Sequence, residues 1–130
     1  MIITTSAKTL ALSYLVAKQT NVSSLSLRLF SNNGTITDAT TDAELTEVSS
    51  GNGYSPIALT GSSWSINPTG STLSYPQQTW TFTGPKGNVY GYYVTNASGT
   101  VLWAEKFPTG PYNVQNNGDI INVNLSITIV

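Results

Sequence analysis

The run at residues 121–129 leaves the backbone almost no choice. Ile121, Val123, Leu125, Ile127 and Ile129 alternate with Asn122, Asn124, Ser126 and Thr128. A period of two puts the five aliphatic side chains on one face of a strand and the polar ones on the other. A helix would spread the same residues around its circumference. The strand's apolar face demands a cover, and the rest of the chain must supply it. Asn116-Asn117-Gly118 supplies a turn just before it.

The same period recurs upstream. Leu25, Leu27 and Leu29 alternate with Ser24, Ser26 and Arg28, which predicts a half-buried strand ending at Phe30 and a turn at Asn32-Asn33-Gly34. Residues 54–60 predict a short strand interrupted by Pro56, with Trp64 to Ile66 as its pairing partner. Leu73 to Tyr75 reads as a short extended piece, and Thr79 to Thr83 alternates Trp80 and Phe82 against threonines. Val89 to Thr95 and Thr100 to Phe107, joined by the turn at Asn96 to Gly99, predict a hairpin, and Pro108 to Pro111 breaks the run. Short strands separated by turn signals every 8 to 12 residues or so point to an antiparallel sandwich or barrel. The expectation is one mainly β domain over residues 1–130, an antiparallel β-sandwich of jelly-roll or immunoglobulin-like type.

Only the N-terminal region departs from this pattern. Leu10, Ala11, Tyr14 and Leu15 recur at helical spacing, Ser6 is a candidate cap and Asn21 a stop, so a short helix is expected over about residues 7–19. Leu10 to Ala17 is too short for a membrane span, which needs about 20 apolar residues. It also lacks the basic flank of a signal peptide, so it reads as the first element of the domain. Residues 35–53 carry four of the six acids and few large apolar side chains, and they predict a long surface loop. Loops of this length inside small domains usually serve function or contact a partner.

Composition then narrows the chemistry. The 130 residues include no His and no Cys, and 8% are charged, with a net charge of -1. Histidine-based triads, Cys nucleophiles, Cys/His zinc sites and disulfides are excluded. Five basic residues are too few for the footprint of a nucleic-acid binder. Ser, Thr and Asn replace the missing charge, and with 39% hydrophobic residues the chain has the composition of a folded domain, not a disordered one.

Individual candidates are weak. Asp38, Asp42, Glu44 and Glu47 lie close together, but their spacing does not match a calcium loop, and a solvated loop is the preferred reading. Glu105 and Asp119 stand apart from them, so the facing carboxylates of a glycosidase are not expected. Trp64, Tyr75, Trp80, Tyr90, Tyr92, Tyr93, Trp103 and Tyr112 suggest sugar-stacking platforms, yet strands and cores use aromatics for packing. Alternation places Tyr90 and Tyr92 on one strand face and Tyr93 on the other, so part of this set must be structural. Sequons at Asn21, Asn33, Asn96 and Asn124 match the number expected by chance, about three. Ser6 and Lys8 lack an oxyanion pattern. No catalytic, cofactor or metal residue is assigned.

The order of motifs carries more information than any one residue. SLSLRLFSNN (Ser24 to Asn33), Gly53-Tyr54 with Ala58-Leu59, and Trp64 come first. YPQQTWTFTG (Tyr75 to Gly84), VYGYYVT (Val89 to Thr95), VLWAEKF (Val101 to Phe107) and GDIINVNLSI (Gly118 to Ile127) follow. This succession, from about Ala7 onward, resembles a family of small virion structural proteins of tailed bacteriophages. Many members carry a short apolar helical segment before the first strand, as here. A Pro common after that strand is replaced by Thr35-Ile36-Thr37-Asp38.

The resemblance implies a non-enzymatic particle component, made in the host cytoplasm and located in the virion. A capsid decoration (cement) protein is the leading version, with a tail, baseplate or fibre component next. Its expected partners are other virion proteins and further copies of itself in a symmetric assembly, with no direct nucleic-acid or membrane contact. A carbohydrate-binding module for host recognition is the alternative from another class.

Overall fold

The computed structural model describes residues 1–16, 24–67, 69 and 71–128. Their architecture is mainly β, sandwich-like, with antiparallel sheets and one short N-terminal helix. A five-stranded sheet contains β1 (Ile2–Ile3), β2 (Leu25–Phe30), β3 (Ile57–Leu59), β7 (Gly91–Asn96) and β8 (Val101–Lys106), in the order β1-β8-β7-β2-β3. A three-stranded sheet contains β4 (Ser65–Asn67), β5 (Thr72–Thr81) and β10 (Ile120–Thr128), in the order β10-β5-β4. β6 (Gly87–Val89) and β9 (Tyr112–Val114) form a two-stranded ribbon.

The alternation in β10 is realised residue by residue. Ile121, Val123, Leu125 and Ile127 are buried, and the polar residues between them are exposed. Their cover comes from the other sheet: Leu27 and Leu29 of β2 and Tyr92 and Val94 of β7 join them in one core, with Trp80 and Phe82. Each such aliphatic contributes about 1.5–3 kcal/mol by leaving water.

Several boundaries differ from the sequence pattern. Residues 72–81 form one ten-residue strand instead of two pieces. Pro76 survives inside it because Val123 pairs with Gln78 and Leu125 with Tyr75, so Pro76 and Gln77 bulge opposite Asn124. A bulge needs no ladder N–H from proline. β4 pairs with β5, not with β3: only four residues separate β4 from β5 in the chain, while β3 is already paired with β2. The expected strand at Val89 to Thr95 breaks at Tyr90, where the chain leaves the ribbon for the large sheet. Gly91 makes that transfer possible: a Cβ there would strike the Glu105 carbonyl oxygen and the Phe30 ring. The β7–β8 hairpin over the Asn96–Gly99 turn forms as expected. β1 and β9 are too short to show a period.

The helix, α1, runs Thr5–Leu15, earlier than the pattern suggests, and Thr4 caps it in place of Ser6. The reason is tertiary. Thr4 N donates to Leu102 O at 2.9 Å and its Oγ1 donates to Val101 O at 2.7 Å. That hydroxyl also accepts from Ala7 N at 3.1 Å, so β8 fixes where the helix begins. The expected helical residues 17–19 and the stop at Asn21 lie outside the described residues.

Candidate interaction surface

The acidic segment 35–53 lacks strands, as expected, but it is not a free surface loop. Leu45 packs with Phe30, Tyr93, Val101 and Ala104 on the side of the large sheet away from the main core, with Ile36 against them. The segment is thus a cover that lets β7 be buried on both faces. Asn32 clamps it, donating to Glu44 O at 2.9 Å and accepting from Thr46 N at 2.8 Å. The short spacing of Leu45 and Val48 among polar residues gave too little periodicity to reveal this role.

Its two glutamates are spent on structure. Glu47 accepts from Arg28 Nη1 at 2.7 Å and from the Tyr54 hydroxyl at 2.8 Å. Glu44 accepts from Thr41 N at 2.7 Å and closes a 3-10 turn over residues 42–44. Outside the segment, Glu105 accepts from the Tyr92 hydroxyl at 2.6 Å, and Asp119 Oδ2 accepts from Gln115 N and Asn116 N, each at 2.9 Å. Those two backbone donors hold the Asp119 carboxyl below its ordinary range. Among the described residues no three acids gather as a cation would require.

The aromatic residues are mostly consumed by packing. Trp80, Tyr92, Tyr93 and Trp103 are buried. Trp64 is half-buried and meets Tyr75 and Trp103 edge-on, at centroid distances of 5.0 and 6.1 Å. Tyr90 and Tyr75 are half-buried, and Tyr112 stacks on Phe107 at 4.7 Å with its own ring partly exposed. Burial pushes the Tyr54, Tyr92 and Tyr93 phenols well up, with Glu47 and Glu105 adding to the effect. The Tyr75 phenol moves down because Thr60 N donates to it.

Of the sequons, Asn96 is buried and its Oδ1 accepts from Ser98 N and Thr100 N. Asn33 Oδ1 accepts from Lys106 Nζ, Asn124 is exposed on β10, and Asn21 lies outside the described residues. Ser6 and Lys8 are both exposed on α1.

Two open surfaces stand out among the described residues. The first is the outer face of the three-stranded sheet. None of the residues in β4, β5 and β10 is charged. Thr79, Thr81, Asn122, Asn124, Ser126 and Thr128 stand exposed on it, and Thr79 and Asn122 bond across the strands at 2.7 Å. Such a face loses little on desolvation compared with one bearing Lys or Glu.

The second surface is an apolar cleft of ≈ 810 Å³ between α1 and the strands beside it. Leu10, Ala11 and Tyr14 of α1 form one wall; Leu25, Leu102, Trp103 and Ile127 form the other. The helical spacing of Leu10, Ala11 and Tyr14 exposes that wall to sequence inspection; the opposite wall is assembled from three separate strands. No residue of α1 is fully buried, and Leu12, Leu15 and Val16 are 65%, 82% and 69% exposed. Tyr14 Oη and Trp103 Nε1 are shielded from water and have no hydrogen-bond partner among the described residues. Each such group costs about 1–3 kcal/mol.

Among the described residues no helix is long and apolar enough to cross a membrane. Searches against protein-family models, curated proteins and solved structures find no match to this chain.

Proposed function

We propose that this chain is a non-enzymatic structural subunit of a tailed-bacteriophage particle, foremost a capsid decoration protein that stabilises the shell through subunit contacts. The particle assignment rests on the motif succession from Ser24 to Ile127. The observation that carries the mode of action is the charge-free outer face of the β10-β5-β4 sheet. A subunit held among many symmetric copies needs flat, cheaply desolvated area more than a reactive group. Uncharged Thr, Ser and Asn side chains meet that need, since their hydrogen bonds can be exchanged across an interface without stripping an ion of water. The partner is another virion protein, the major capsid protein in the leading version.

Adding the purified chain to capsids that lack it tests this directly. Saturable binding with a raised capsid melting temperature is expected, and Asn122→Lys together with Ser126→Glu on this face weakens it. Failure to bind capsids overturns the decoration role; binding to tails instead moves the subunit to the tail.

A further inference from the structure

We infer that the free edge of β10 pairs with the same edge of a second copy of this chain, antiparallel about a two-fold axis at Asn124, so that two three-stranded sheets become one of six strands. Asp119 O accepts from Phe82 N at 2.8 Å, just before the paired residues of β10 and β5 begin. Backbone groups alternate in direction along a strand, so the odd-numbered residues of β10 turn theirs toward β5. Ile120, Asn122, Asn124, Ser126 and Thr128 turn five N–H and five C=O groups the other way, where β10 ends the sheet. No described residue bonds to these groups.

Sheet edges are normally blunted by brevity, charge, proline or a bulge. The other edges of the two larger sheets follow that rule. β1 has two residues, β3 and β4 have three each, and Pro56 directly precedes β3. β10 has nine residues, no charge and no proline, and the bulge opposite Asn124 lies on β5. Ile127 and Thr128 border the cleft beside α1, but none of Ile120 to Ser126 does. A long bare edge of this kind is a template for another strand.

The strand that fits it is its own copy. Read outward from Asn124, the sequence is alike in both directions: Val123 and Leu125, Asn122 and Ser126, and Ile121 and Ile127 stand at equal distances. Pairing residue 124 with itself therefore sets Ile121 against Ile127 and Val123 against Leu125 on the core side, and Asn122 against Ser126 outside. Every outward backbone group gains a bond in this register. β10 carries no charge to repel its like across the axis, and none to select a partner of opposite sign. The pairing also closes. It uses both long edges and leaves β4, an edge of three residues, at each end of the joined sheet, so it does not propagate into a fibre.

The joined sheet doubles the uncharged outer face. The pairing thus deepens the assembly reading and rests on it for its use in a particle, while its own contacts need only this chain. Sedimentation equilibrium of the purified protein from about 1 μM to 1 mM tests it, and a monomer–dimer equilibrium is expected. Asn124→Pro removes an N–H that faces solvent in the monomer, which an edge strand tolerates, but it removes two hydrogen bonds at the dimer axis. It raises the dissociation constant by about a hundredfold or more. Asn124→Lys sets like charges together and raises it by about tenfold. Ile66→Lys, on the opposite edge strand of the same sheet, leaves it unchanged. The chain has no Cys, so a single introduced thiol reports the register. Asn124→Cys gives a disulfide-linked dimer under mild oxidation, since paired Cα atoms lie about 5.5 Å apart. Ile120→Cys does not, because the two thiols lie about eight residues apart along the strands, roughly 26 Å.

Circular dichroism checks that each variant folds. A protein monomeric at every concentration overturns the proposal, as does a dimer that neither Asn124→Pro nor Asn124→Lys weakens. Loss of fold in both of these variants also overturns it, because residue 124 would then be an internal support. Cross-linking of Ile120→Cys as readily as Asn124→Cys refutes the register, and assemblies that keep growing with concentration refute the closed pair. A monomer that binds capsids removes the pairing and keeps the capsid reading; a dimer that binds none does the reverse.

Discussion

Arg28 Nη1 and Glu47 Oε2 lie 2.7 Å apart and tie β2 to the segment that covers the outer side of the large sheet. The guanidinium Nε also donates to Thr95 Oγ1 at 3.2 Å, so one side chain links β2, β7 and the cover. Glu47 in turn receives the Tyr54 hydroxyl, which itself accepts from Leu29 N at 3.2 Å. The cover is therefore held by a network and not by a single ion pair.

Glu47→Ala removes an acceptor shared by Arg28 and Tyr54. Both charged side chains keep about 30% of their surface exposed, which limits the loss. Denaturant unfolding should show a loss of about 1–2 kcal/mol, against about 0.5–1 kcal/mol for Glu44→Ala, which opens only a turn. Equal losses at the two positions would contradict the network.

Alkaline pH tests the buried phenols. Tyr54, Tyr92 and Tyr93 hold their protons more tightly in the folded chain than in the unfolded one, where the phenol pKa is about 10. Their contribution is thus complete below about pH 10 and is lost as pH rises beyond it. The melting temperature should fall above pH 10, and Tyr92→Phe should make that fall shallower. A melting temperature constant to about pH 11.5 would be inconsistent with the burial of these groups.

Two tryptophans differ in how their indole N–H is used. Trp80 Nε1 donates to Ser55 O at 2.8 Å, whereas Trp103 Nε1 has no partner among the described residues. Trp80→Phe should therefore cost about 1 kcal/mol more than Trp103→Phe in equilibrium unfolding. The reverse order would mean that the Trp103 N–H is engaged.

Two glycines separate close approach from backbone conformation. Gly91→Ala drives a methyl into the β8 backbone and should cost about 2–3 kcal/mol or more. Gly99 has φ of +81° with open space around it, so Gly99→Ala should cost only about 1 kcal/mol of backbone strain. Thermal melts of the two variants measure the difference.

The legible parts of this fold are those where one face is buried and the other wet. β10 shows period two because its neighbours lie on one side, β2 because Ser26 and Arg28 on its outer side are polar and only half-buried, and the β7–β8 turn announces itself through Asn96 and Gly99. Pro76 hides the continuity of β5, since a proline argues against a strand unless a bulge receives it. The cover role of residues 35–53 depends on Leu45 meeting Tyr93 and Ala104, contacts made far along the chain that no local pattern encodes. The same holds for the α1 cleft. Its helix wall is periodic, but Trp103 and Ile127 reach it only through the sheet topology.

The scarcity of charge acquires a location from the structure. It is complete in β4, β5 and β10, while Arg28, Glu47, Glu105 and Lys106 belong to the large sheet and its cover. One sheet is therefore free of charged side chains, while the charges of the other help tie it to its cover.

Cryo-electron microscopy of particles purified from cells that produce this chain tests the central claim most directly. Repeated density for the sandwich is expected on the particle, with the β10-β5-β4 face against a neighbouring subunit. Particles that carry no copy of the chain would contradict it.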